Sequence, residues 1–266
     1  MVEFNQHQGM KMKNIKKKKV IITMVSALIL SNSIATYAKD NTKKLTRMYN
    51  NSVKDAVVAE QEELEYGLTA ITPSNDDLIW NEDKSKLLMV TWKSQDTYDN
   101  YIAPYTQTSN SEKYVTWVTA VPEVKEFCQR YAKRKKTKNT NKLDLRLKQH
   151  LGLNHTWNYD VFVELWVSPE DLFRPCTDPD ITDSSCKLTF DDSTPVVKNI
   201  DNYKQFYQNL YYSSFRSADN IVPWTGLGYT FDWARNKTDV GASEFIMVPS
   251  ASYEIHKVVT TEEYCQ

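Results

Sequence analysis

Four cysteines constrain this chain more than any other feature, because they follow a segment built for export. They are Cys128, Cys176, Cys186 and Cys265. Ahead of them, Lys11, Lys13 and Lys16 to Lys19 form a basic stretch. The 11 apolar residues Val20 to Leu30 follow, and then small residues ending in Ala35-Thr36-Tyr37-Ala38. That order is the layout of a secretory signal, with cleavage expected after Ala38. Residues 1–11 read as sequence upstream of the start, with Met10 or Met12 as the first residue. The apolar run is short against the roughly 20 residues that span a bilayer. Membrane contact is therefore expected only through the signal segment, before cleavage, and the location is periplasmic or secreted.

An even number of cysteines in an oxidising compartment predicts two disulfides. Four cysteines allow three pairings. Cys176 and Cys186 lie ten apart across loop sequence rich in Asp, which favours that pair and leaves Cys128 with Cys265. The rival reading is a cysteine nucleophile with His150, His155 or His256 as base. A structural framework is the expectation here.

The signal segment carries six lysines and one acid, Glu3. Removing it leaves 27 basic and 33 acidic residues, a net charge near −6. An acidic domain is poorly suited to a phosphate backbone, so nucleic acid is not an expected partner. The basic run Lys133 to Lys138 is a local exception and reads as a solvated linker over 133–141.

Residues 39–51 are polar and predict an unordered segment. Ser52, with Asp55 three residues on, predicts a helix start, and Gly67 an end. The β-branched and aromatic runs 78–80, 86–92, 115–121 and 160–167 predict strands. Residues 95–113 read as a loop. Apolar residues at helical spacing predict helices after Pro122, over 143–151 up to Gly152, and over 202–215. Ser168-Pro169 predicts a brief helix. Residues 244–248 and 252–259 predict two strands paired as a hairpin around Pro249-Ser250-Ala251. This irregular order predicts one α+β domain over 52–266, with several helices and a mainly antiparallel sheet.

Several strings carry a resemblance: Trp117-Val118-Thr119-Ala120-Val121-Pro122, Glu164-Leu165-Trp166-Val167-Ser168-Pro169, Leu172-Phe173-Arg174-Pro175-Cys176, Pro223-Trp224-Thr225-Gly226-Leu227-Gly228 and Glu263-Tyr264-Cys265. Together they resemble an uncharacterised family of bacterial exported proteins. The resemblance implies export and a cysteine framework, and adds no mechanism.

Three stretches have residue types suited to chemistry. Asp178, Asp180 and Asp183, between Cys176 and Cys186, have oxygens that suit Ca²⁺, although Asp is equally a turn former and the EF-hand spacing is missed. Trp224, Tyr229, Asp232 and Trp233 set aromatic faces beside a carboxylate, which suits a sugar or a cation. Gly226 and Gly228 there allow either close backbone approach to a ligand or a tight turn. Glu244, leading an apolar strand, looks like the catalytic-Glu end of ADP-ribosyltransferases. With Asp178 and Asp232 it is one of the candidate acid/base groups. No zinc helix, nucleophile elbow or phosphate-binding loop is present, and no motif assigns a cofactor. The expectation is a binding or interaction protein with an envelope protein or a saccharide as partner. The alternatives are an envelope enzyme using carboxylates, or a secreted effector with a transferase-like hairpin.

Overall fold

The computed structural model describes residues 40–135, 140–216, 221–234 and 238–266. The expected signal peptide (1–38) and part of the expected linker (136–139) lie outside the described residues. The chain divides into two compact units, residues 1–47 and 48–266. In the first, residues 40–47 are helical, and Thr46 Oγ1 donates to Thr42 O at 3.0 Å.

In the second unit, residues 48–55 are helical (α1). The expectation of an unordered 39–51 is therefore corrected, as is the helix start at Ser52. The Ser52 hydroxyl donates to Tyr49 O within the helix and is no cap. One aromatic anchors this polar stretch. Tyr49 is buried, its hydroxyl donates to Ile221 O at 2.8 Å, and its ring meets Trp233 edge-on.

A six-stranded antiparallel sheet follows, so the fold is α+β. Its strands are β1 (Leu87–Lys93), β2 (Thr116–Ala120), β3 (Val161–Val167), β4 (Leu172–Phe173), β7 (Phe245–Met247) and β8 (Tyr253–Thr260). Their order is β4-β7-β2-β1-β3-β8. A separate two-stranded ribbon joins β5 (Tyr229–Phe231) and β6 (Val240–Ser243).

Helices cover both faces of the sheet. Leu87, Met89, Val163 and Leu165 point to one face, where Tyr203 and Phe206 of α5 (Tyr203–Arg216) pack on them. Leu88, Val90, Trp92 and Phe162 point to the other. There they meet Val124 and Cys128 of α3 (Glu123–Lys135), Leu143 and Leu147 of α4 (Thr140–His150), and Tyr264 of α6 (Thr261–Tyr264). Burial on both faces is why β1 and β3 read as continuous apolar runs instead of alternating ones. Gly152, at φ +66°, ends α4 as its position predicts.

Three local expectations change. The 95–113 stretch is not all loop, since α2 spans Gln95–Tyr101. That helix has no apolar stripe. It starts on Ser94, whose side chain accepts from the Thr97 N–H at 3.1 Å. After Ser168, the turn Pro169–Asp171 is a 3-10 helix without a side-chain cap. The expected hairpin of 244–248 with 252–259 does not form. β7 pairs with β2 and β4, whereas β8 pairs with β3 at the far edge. The intervening Pro249–Ser252 segment carries the chain across the sheet to the edge of β3.

Both disulfides form as the spacing favours. Cys176–Cys186 closes a short loop, and Cys128–Cys265 ties α3 to the end of α6 across 137 residues. In the chain-entropy picture the longer loop restrains the unfolded chain more. Replacing Cys128 and Cys265 by Ser is expected to cost about 4–5 kcal/mol, against about 3 kcal/mol for Cys176 and Cys186. Urea unfolding of the two double variants checks that order.

Candidate functional site

The ladder between β1 and β2 holds two residue pairs, Met89 with Ala120 and Val90 with Thr119, and then stops. β1 continues to Lys93 on β3 alone, and β2 runs back to Thr116 on β7 alone. The strands fork. A cavity of about 730 Å³ fills the fork, within the range of roughly 300–1,000 Å³ typical of ligand pockets. Val90, Thr91, Trp92 and Lys93 all line it. Successive strand residues point to opposite faces, so a cavity touching all four lies in the plane of the sheet. The C-terminal half of α5 and residues 222–224 help to close it, with Leu210 and Trp224 among the walls.

Trp92, on the cavity wall, is fixed by its other contacts. Its ring stacks on Phe162 and Tyr159, and its indole N–H donates to Thr261 Oγ1 at 2.8 Å. The apolar wall is therefore rigid on the β1 side.

Glu244 and Trp224 meet on this wall. Glu244 sits just before β7, and its backbone N–H donates to Gly228 O at 3.0 Å. Its carboxyl Oε1 is buried without a hydrogen-bond partner, and so is Trp224 Nε1. Burial pushes the Glu244 carboxyl up to about 8, against the neighbouring Trp224 indole N–H, which favours the charged form. At neutral pH the carboxyl is thus a neutral acid that can donate one hydrogen bond and accept others. A protonated carboxyl and an indole N–H on residues that line one cavity suit a ligand oxygen.

The other expected ligand residues divide. Tyr229 lines the cavity with its ring, but its hydroxyl donates to Glu63 O at 2.9 Å. Asp232 and Trp233 do not line it. Trp233 is buried, and its indole donates to Leu153 O. Asp232 receives two hydrogen bonds from Arg146, at 3.0 and 2.6 Å, and His150 Nδ1 lies 3.3 Å away. Burial favours a protonated Asp232, yet the His150 and Arg146 hydrogen bonds outweigh it and hold the carboxyl below its usual range. Phe127 stacks on His150 and lies under the Arg146 guanidinium. This cluster fastens α4 to the segment after β5. Asp232 therefore lies with Arg146 and His150, off the cavity that Glu244 lines.

The glycines of this loop answer to packing. A Cβ on Gly226 would stand 2.5 Å from the Tyr207 hydroxyl, and one on Gly228 would stand 2.6 Å from Arg174 Cδ. Both residues have positive φ. The tight turn, not the ligand, explains them.

The acidic loop surrounds a cation of the chain itself. Arg174 is fully buried; its Nε donates to Asp180 O, and Nη2 donates to Asp183 O and Thr69 O. Asp180 accepts from the Thr182 N–H and hydroxyl, and Asp178 pairs with Lys187 at 3.1 Å. The three carboxylates thus serve different partners. Among the described residues, no three His, Cys, Asp or Glu side chains group to hold a metal ion.

Two features escaped sequence reasoning. Arg174 sits inside an apolar run, and that burial was its one available signal. Lys93, at the end of β1, has the ordinary look of a solvated strand end. Compared with protein-family models, curated proteins and solved structures, the chain matches none.

Two outcomes follow from the buried charges. Arg146→Ala removes the two guanidinium hydrogen bonds from buried Asp232, which also contacts His150 and the Ala234 N–H, and is expected to cost about 3–5 kcal/mol in urea unfolding. Glu244→Gln changes the pH dependence. The folded carboxyl keeps its proton to about 8, whereas the unfolded one releases it near 4.5. Wild-type stability therefore falls as pH rises through that window. The Gln variant is expected to match wild type near pH 4 and to exceed it by roughly 3–5 kcal/mol at pH 9. Unfolding curves that differ equally at both pH values would contradict the assignment.

Proposed function

We propose that this chain is an exported binding protein that takes a small, mostly apolar molecule into the forked sheet. The molecule's oxygen is held by Glu244 and Trp224. One observation carries the reading: Glu244 Oε1 and Trp224 Nε1, both buried without a hydrogen-bond partner, belong to two residues that line the same mainly apolar cavity. Burying such atoms unpaired costs roughly 1–3 kcal/mol each. A ligand oxygen would recover that cost while the walls shed water.

Export is supported by the order of residues 11–38 and by two disulfides, which persist in oxidising compartments. No helix among the described residues is long and apolar enough to cross a membrane. Binding is favoured over catalysis by the carboxylates: Asp232 is tied to Arg146 and lies off the cavity, which leaves Glu244 without the expected second acid. The walls, built from residues such as Val90, Val118, Phe162 and Leu210, also suit an acyl or terpenoid body better than a saccharide.

A thermal-shift and tryptophan-fluorescence titration of the oxidised chain tests this. The probes are 1-decanol, farnesol and chitotriose. At about 100 times its dissociation constant an apolar alcohol is expected to add about 2.7 kcal/mol, a shift of a few degrees, and to change Trp224 emission. Glu244→Ala should weaken that binding. A response to chitotriose alone would move the ligand class to saccharides, and no response to any probe would overturn the reading.

A further inference from the structure

Lys93 is the last residue of β1, opposite Val161 on β3, and its backbone carbonyl accepts from the Asp160 N–H. Its side chain is partly accessible, and it lines the cavity. Among the described residues its amine makes no hydrogen bond and no ion pair. That sets it apart from the other enclosed lysine, Lys148, which is 7% exposed and pairs with Asp144 at 2.7 Å.

The cavity holds no counter-ion for this amine. The titratable groups on its walls besides Lys93 are Glu112, Lys113, Tyr159, Tyr229 and Glu244. Neither carboxylate is within ion-pair distance of Lys93, and Glu112 accepts instead from the Asp201 N–H. Burial raises both tyrosines, to about 12 for Tyr159 and further for Tyr229, so they stay neutral. Glu244 is protonated at neutral pH for the same reason. Burial also pushes the Lys93 amine below its ordinary range. The Lys93 amine thus meets the cavity with no anion beside it, and an entering carboxylate can pair with it there.

We propose that the ligand carries a carboxylate, which binds Lys93 while its apolar body fills the fork towards Glu244 and Trp224. The proposal rests on the cavity being the ligand site. It narrows the ligand to an apolar carboxylic acid, the class of medium-chain fatty acids and their oxygenated derivatives.

The test compares decanoate with decanol on the oxidised full chain and on Lys93→Met and Lys93→Arg. Affinities are read by calorimetry at about pH 7. Wild type is expected to bind decanoate roughly ten- to a hundredfold more tightly than Lys93→Met does. Decanol affinity should be the same in both, and Lys93→Arg should restore decanoate binding. Unchanged decanoate affinity in Lys93→Met would overturn the proposal while leaving the cavity a ligand site, provided decanol binds. If neither probe binds any of the three proteins, the cavity reading itself fails, and this proposal with it.

Discussion

The seven-residue ladder between β1 and β3 is the constraint on which the second unit depends. Both strands are apolar on both faces, so each face must be covered by something else. α5 covers one, and α3, α4 and α6 cover the other. Once that pair is sandwiched, the remaining strands find their places by edge. β8 takes the free edge of β3, and β2 joins β1 for two pairs before following β7. The fork is the consequence of one strand being drawn to two partners.

Buried charge is handled in two ways, and the contrast separates structure from function. Arg174 is enclosed by backbone carbonyls, and Arg146 grips Asp232 with two hydrogen bonds. Glu123 accepts from the Ser243 N–H and the Thr69 hydroxyl, which ties α3 to the β6–β7 link even though burial raises its carboxyl to about 7. These groups hold segments together. Glu244 Oε1 and Trp224 Nε1 lack hydrogen-bond partners, as do Arg174 Nη1, Asp183 Oδ1, Trp80 Nε1 and the Tyr264 hydroxyl elsewhere; what sets the first two apart is that their residues line a cavity, together with Lys93. Buried polar groups without partners are expensive, and those beside a cavity are the ones a ligand could satisfy.

The cavity also has the physical form that a binding site needs. Its β1 wall is braced by the stacked rings of Trp92, Phe162 and Tyr159, and α3 behind it is fastened by Cys128–Cys265. A rigid wall lowers the ordering cost of binding. The neutral acid at Glu244 and the lone amine at Lys93 then give an apolar space two distinct polar points, which is how such a space selects an orientation.

Much of the fold was legible along the chain. The apolar runs of β1, β2 and β3, the helices ending at Gly152 and starting near Asn202, and both cysteine pairs follow from local pattern and spacing. So do Trp224, Tyr229 and Glu244 as residues of interest, since aromatics and an acid beside glycines are unusual in a chain with six glycines. What pattern could not supply is partnership. Two apolar strands close in sequence predict a hairpin, but β7 and β8 lie apart because edges elsewhere in the sheet were free. Asp232 and Glu244 look alike as carboxylates, yet one meets Arg146 and the other an empty wall. Lys93 looks like a solvated strand end until the fork closes around it. By itself the sequence determined most of the elements and the disulfide framework. Only the tertiary structure decided which polar groups are paired and which are left facing a cavity, because that depends on neighbours far apart in the chain.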